Sequence, residues 1–369
     1  MVFPDESLRW NDHGVILVPE KSIEGTFIQN FTCSAEPLDQ KRWRIWYSML
    51  HYDGESRGFN IAYAEGIPGQ PMQRHYAALT SGPAWNCRFC IGNLPEGWRP
   101  IQPVHLVLPD GTHRLYFWAH GPGVVRYLAA DSADGHRYEV RDPYRPCLYH
   151  PCDRAVEYKD KACEGLANIK PNCARPSWED LAPLDMVCND ATNVYLLPDK
   201  TFELYTANVI SVNRDDPRYI AHDNAPGLVR VIERRTSSDG IVWSKGTCVL
   251  EPGADDPIDL QFYYLAVNHT SSGRIGMLGH YRVEAQTMDI ECCFSADGVD
   301  WQRPCRQAWF PRNEAQSHLY GVYAPHATVF HEGKWWLFYT GVNYTHNNQQ
   351  SYGSPCSDIR LATISELYK

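Results

Sequence analysis

APHATVFHEGKWWLFYTG, residues 324–341, reads as a β-strand, a tight turn and a second β-strand. Gly333 in the turn tolerates the positive φ that tight turns demand. The polar residues at the head, near His326, are not what a simple surface hairpin needs. Their role depends on whether the hairpin stands alone or belongs to a set.

It belongs to a set. An apolar, aromatic second strand recurs as KRWRIWYSMLH (41–51), THRLYFWAHG (112–121), TFELYTAN (201–208), GRIGMLGHYR (273–282) and KWWLFYTGVN (334–343). Each follows a β-rich strand and a turn reading LDQ, PDG, PDK, SSG or HEG. A third strand and a further turn follow most of them: SADG at 132–135, SSDG at 237–240 and SADG at 295–298. The last two extend to SSDGIVW and SADGVDW and start 58 residues apart, about one four-stranded sheet with its loops. In these turns Ser and Asp can bond the nearby backbone, Gly permits positive φ, and Trp can pack back on the sheet.

Such units, with almost no helical periodicity, predict a repeat architecture. Four-stranded sheets set radially make a β-propeller, which hides its edges by closure. The expectation is an all-β fold, a single five-bladed β-propeller over residues 1–369. Its blades fall at about 20–85, 86–145, 185–250, 251–310 and 318–369, and a cysteine-containing loop insertion interrupts them at about 141–185. HGVILVP (13–19) has no hairpin partner nearby and is expected to close the ring as the outer strand of the fifth blade.

Composition agrees with a large core: 43% of the residues are hydrophobic and 12% aromatic. No apolar run approaches the ~18 residues that a membrane span needs. The net charge of -10 disfavours a nucleic-acid partner and suits a neutral or modestly charged small substrate. Thirteen cysteines, an odd number, leave at least one outside any intrachain disulfide and favour a reducing compartment. Asp5 and Glu6 with no apolar segment do not make a signal peptide, so the expected location is cytoplasmic.

In a propeller the first strand of each blade lines the central channel and its start lies at the mouth where ligands bind. His326 is then a channel residue. The acids expected to reach the mouth are Asp190, heading the blade-three channel strand, Glu284, after the second strand of blade four, Glu24, heading blade one, and Asp259, heading blade four. The second-strand ends converge on the same face with His51, His120, Asn208, His280, Arg282 and Asn343. These suit ligand hydroxyls or an anionic group. Trp118 and Tyr263 are candidates to stack on a ligand ring. No cofactor is expected, although His51, His120 and His326 are candidates for a channel ion such as calcium.

The stretch YAPHATVFHEGKWWLFYTG and the SxDGxxW ends resemble the five-bladed glycosidases: glycoside hydrolase families 43, 32 and 117 and the mannoside phosphorylases of family 130. WNDHG (10–14) is similar to the family 32 nucleophile motif but lacks its Pro-Asn pair, and Asp12 precedes the ring-closing strand. Family 43 places acids at the heads of its first three channel strands. The matching slots here read EGTFIQN (24–30), RPIQPVHL (99–106) and CNDATNVYLL (188–197), with Asp190 in the third and Gln102 in the second. The resemblance implies an exo-acting glycoside hydrolase with an Asp/Glu carboxylate pair and an oligosaccharide or glycoside substrate. A family-130-like phosphorylase and a non-catalytic carbohydrate-binding propeller are the alternatives.

Overall fold

The computed structural model describes residues 10–20, 24, 27–28, 34–52, 57–78, 89–150, 153, 191–223, 226–310, 312, 318–346, 348 and 356–365, without the side chains of 51–52, 57–59 and 78. β1 (Asn11–Leu17) comes first. The first antiparallel meander has β2 (Phe27–Ile28) and β3 (Ser34–Pro37) side by side on β4 (Trp43–Tyr52), then β5 (Arg57–Gly66) and β6 (Gln73–Ala78). β7 (Phe89–Gly92) runs parallel to β6 and leads to β8 (Arg99–Val107), β9 (His113–Gly121) and β10 (Val124–Ser132). β11 (Arg137–Val140) and β12 (Leu148–Tyr149) share the outer edge of β10.

The third meander is β13 (Thr192–Leu196), β14 (Phe202–Ser211), β15 (Leu228–Ser237) and β16 (Thr247–Leu250). The fourth is β17 (Leu260–Thr270), β18 (Gly273–Arg282) and β19 (Thr287–Ser295), edged by β20 (Trp301–Gln302) and β21 (Ala308–Phe310). In the last, β22 (Gly321–Tyr323) and β23 (Val329–His331) both pair with β24 (Lys334–Val342), which pairs with β25 (Ser357–Ile364). β25 also pairs antiparallel with β1, Leu17 lying opposite Ile359, so the N-terminal strand is part of the C-terminal sheet.

Each meander packs on the next. Trp46 and Tyr63 meet Phe89 and Phe117, Tyr116 and Trp118 meet Leu204, Tyr205 meets Leu265, and Met277 meets Leu337. The last meander shares a core with the first, through Phe338, Ile359 and Leu361 against Trp43, Ile45 and Tyr47. β19 reads TMDIECCFS and is buried at every residue; its polar face is buried too because Asp289 and Glu291 are met by Arg312 and Arg303.

The Ser-x-Asp-Gly turns have a second task beyond turning the chain. Ser237 Oγ accepts the Gly240 amide at 2.9 Å, and Asp239 Oδ1 accepts those of Ile241 and Val242 at 2.8 and 2.9 Å. With its own amides satisfied inside the turn, the backbone offers its carbonyls outward. Arg114 Nη1 donates to Asp239 O at 2.6 Å and Tyr116 to Gly240 O at 2.9 Å, both from the preceding meander. The next turn is packed the same way, since a Cβ on Gly298 would collide with the Tyr205 hydroxyl. At this end Glu203 is buried and receives Arg234 and Arg274, each at 2.6 Å, and His269 at 2.7 Å.

The opening stretch differs from its expected form. A continuous strand through 324–331 is not formed, because Ala324–Thr328 separate β22 from β23. The break is held by backbone bonds from neighbours: Ala324 N donates to the Tyr264 hydroxyl at 3.0 Å, and Thr328 exchanges bonds with the Asn268 amide at 2.8 and 3.2 Å. Most of the 141–185 insertion lies outside the described residues. Its described end is anchored by Asp153, buried against Arg126 at 2.8 Å.

Candidate functional site

Two first strands carry a bulge at the same step. In β8 the register jumps from Ile101 opposite Trp118 to Val104 opposite Tyr116, which leaves Gln102 and Pro103 facing one residue, Phe117. In β17 it jumps from Phe262 opposite His280 to Leu265 opposite Leu278, which leaves Tyr263 and Tyr264 facing Gly279. A bulge of this kind bends its strand and re-aims a side chain. Gly279 makes room for it, since a Cβ there would stand 2.6 Å from the Tyr264 ring.

Tyr263 is thereby delivered to a polar group at the end where β13, β17 and β22 begin. Its hydroxyl is 2.9 Å from His346 Nε2, and His346 Nδ1 is 3.2 Å from the Tyr323 hydroxyl. Burial first, then Arg230, pushes the His346 imidazole down to about 3, so the ring is neutral and offers one donor and one acceptor. Arg230 is buried beside it. Its Nη1 donates to Gln261 Oε1 at 2.6 Å and to Asp223 Oδ2 at 2.9 Å, and its guanidinium lies over the Tyr263 ring at 4.6 Å and near Tyr281 at 5.4 Å. Burial works against this charge, but Tyr263 and Asp223 outweigh it and the guanidinium stays protonated.

The expected site residues divide. Asp190 and the side chain of His51 lie outside the described residues. Glu284 is exposed in the turn after β18. Asp259 is buried, bound by Arg282 Nη2 at 2.5 Å, and accepts the Glu284 amide at 3.4 Å, so it holds the base of that turn. Glu24 is fully buried under β4 and β6, where Tyr47, Tyr76 and Arg74 all donate to it. Burial is the main force raising its carboxyl, opposed by Arg74.

His280 is buried next to Arg303 and Arg282, and burial with those charges lowers it to about 4. His120, at the end of β9, is lowered to about 4 by burial alone. Asn208 is buried and donates to Glu233 at 2.9 Å, while Asn343 accepts the Cys356 amide at 2.6 Å and so closes the excursion between β24 and β25. Trp118 is fully buried, with Nε1 3.3 Å from Thr192, which makes it an inter-sheet packing residue. His326 lies in the break between β22 and β23. Its ring stacks on Tyr195 at 4.5 Å and Nε2 donates to the Val194 carbonyl at 2.5 Å. Gln102 is buried at the bulge of β8. Among the described residues no group of three His, Cys, Asp or Glu side chains forms a metal-binding set.

Arg230, Gln261, Tyr281, Tyr323 and His346 escaped sequence reasoning. Attention to first-strand starts and second-strand ends leaves out third-strand starts, which antiparallel pairing puts at the same end. Arg230 is the third residue of β15, a charge set in the apolar run LVRVI, and that was the available signal.

No protein-family model matches this chain, and no curated protein does. Solved structures do. One described as a glycoside hydrolase superposes with a TM-score of 0.61 at 14% identity, covering 99% of this chain and 92% of that one. A second, reported with the finding that the GH130 family of mannoside phosphorylases contains glycoside hydrolases targeting beta-1,2 mannosidic linkages in Candida mannan, has a TM-score of 0.56 at 12% identity over 98% and 93%. A third is an N-acetylgalactosamine deacetylase from F. plautii in complex with blood group B trisaccharide, at 0.57 and 12% over 96% and 95%. The fold is that of propeller-type glycosidases. At this identity the likeness concerns the fold, and one fold serves several chemistries.

Proposed function

We propose that the protein is a glycoside hydrolase acting on the terminus of a neutral glycan, in a five-bladed propeller closed by β1. The observation that carries this reading is the convergence of Arg230, Gln261, Tyr263, Tyr323 and His346, from three successive meanders, where their first strands begin. Tyrosine, glutamine and neutral histidine are the mixed donor and acceptor types that sugar hydroxyls take, and here they are bonded to one another in a single group. In the proposed propeller, a site at one end of the axial channel suits a chain terminus better than its middle.

Asp190 and Glu284 are the carboxylate pair in this reading. Asp190 immediately precedes Ala191, whose carbonyl accepts the Ala207 amide at 3.1 Å at the head of β13. Glu284 is exposed, and the Asp259–Arg282 pair holds its turn. One carboxyl protonates the leaving oxygen while the other activates water or attacks the anomeric carbon. Hydrolysis is favoured over phosphorolysis because three of the described arginines at this end are already neutralised, Arg230 by Asp223, Arg282 by Asp259 and Arg312 by Asp289, which leaves Arg99 at the start of β8 without a carboxylate partner among the described residues. A phosphate site wants unpaired cations.

The test is a panel of aryl glycosides and oligosaccharides, assayed with and without phosphate, on wild type, Asp190→Asn and Glu284→Gln. The expected result is phosphate-independent turnover that each substitution lowers by about 10²-fold or more, with unchanged near-UV circular dichroism. Turnover that requires phosphate, or that both variants retain, overturns the assignment.

A further inference from the structure

Gln102 is strained. Its φ is +60°, in the left-handed region that a residue with a side chain rarely occupies, and Pro103 follows it. The strain is held in place rather than accidental. Its amide donates to Ser48 Oγ at 2.6 Å, and Ile101 and Val104 on either side of the bulge are packed in the core. A glycine would take this φ without penalty. What the glutamine adds is its carboxamide, which is 1% exposed and has no hydrogen-bond partner at Oε1 or Nε2 among the described residues.

Buried amides are almost always satisfied, so an open one on a strained backbone points to a partner that is not part of the chain. Position says where that partner lies. Gln102 is the fourth residue of β8 and the first of its bulge, as Tyr263 is the fourth residue of β17 and the first of its bulge. Tyr263 is turned into the Arg230–His346 group, so the equivalent bulge two meanders away presents Gln102 at the same depth.

We propose that Gln102 reads a pair of neighbouring hydroxyls on a neutral sugar residue; this deepens the glycan reading and rests on it. A carboxamide offers an acceptor oxygen beside a donor nitrogen, and a vicinal diol presents one donor and one acceptor at matching spacing. A carboxylate at this place accepts only. The amide therefore selects an uncharged sugar with both hydroxyls present, and a sugar deoxygenated at either position leaves half of it open.

The experiment measures binding of methyl glycosides of mannose, galactose, glucose, xylose, arabinose and fucose by ligand-observed NMR, with thermal unfolding alongside. The proteins are wild type, Gln102→Met and Gln102→Gly. Methionine keeps the length and removes the polar atoms; glycine also relieves the φ. Both variants should melt at or above the wild-type temperature, and the glycoside that wild type binds should weaken by about 10- to 100-fold. Its deoxy analogue should bind wild type as weakly as the parent binds Gln102→Met, and lose nothing further in that variant. Unchanged affinity in the variants overturns the role of Gln102 while leaving the glycan reading intact. Lower melting temperatures in both variants also overturn it, since the amide then serves the fold. Absence of binding by wild type counts against the glycan reading itself, and the inference falls with it.

Discussion

Buried polar side chains in this protein are of two kinds. Glu203 is met by Arg234, Arg274, His269 and the Tyr205 hydroxyl, which outweigh the effect of burial and hold its carboxyl well below the usual carboxylate range. Removing one side of a buried ion group strands the other, at about 3–5 kcal/mol. Glu203→Gln should therefore lower the urea-unfolding free energy by about that amount, and a change below about 1 kcal/mol would show that the group contributes little. Gln102 is of the other kind, buried with its amide open. Among the expected acids, Asp259 and Glu24 are of the first kind: each is neutralised by an arginine, and each ties a loop to a sheet. Sequence position alone does not separate these cases, because a carboxylate at the head of a strand reads the same whether an arginine meets it or not.

At the scale of elements, the hairpins and the Ser-x-Asp-Gly turns were legible, because each depends on residues within a few positions of one another. The bulges in β8 and β17 were not. In RPIQPVHL only Pro103, which cannot donate to the ladder, hints at an extra residue, and nothing in LQFYYLAV marks one; both follow from pairing with β9 and β18. Gly279 is the partner that admits the second bulge. Gly279→Ala should force Tyr264 off its bonds to the last meander and cost about 1–3 kcal/mol in thermal or urea unfolding, as overpacking does. A fully stable Gly279→Ala would mean that the bulge relaxes freely, and that it does not fix the place of Tyr263.

The whole molecule carries a pH dependence that no single element shows. Burial is the first cause lowering His120, His280 and His326 to about 4 and His346 to about 3, against an unfolded value near 6.5. The folded pKa values are depressed, so the unfolded chain binds more protons between these limits. The stability from keeping these rings neutral is complete above about pH 6.5 and is lost as pH falls towards 4. Glu24 and Glu291, whose carboxyls burial raises, act in the opposite sense, but each has an arginine beside it. The melting temperature should fall by about 10 °C or more from pH 7.5 to 4.5, since each tenfold loss of proton affinity on folding corresponds to ~1.4 kcal/mol. A flat profile would mean that these rings are hydrated and titrate normally.

The sequence by itself determined the strands, their turns and their recurrence, because period-two burial and turn chemistry are written in neighbouring residues. Antiparallel pairing also makes first-strand starts, second-strand ends and third-strand starts share one end of each meander. Which of the residues there meet was decided only by the tertiary structure. Tyr263 reaches His346, Arg230 reaches Gln261, and Arg74 reaches Glu24 through sheets distant in sequence. The reason is physical: a carboxylate or an amide takes its character from the charge and the water around it, and both are set by whichever chain segment packs against it.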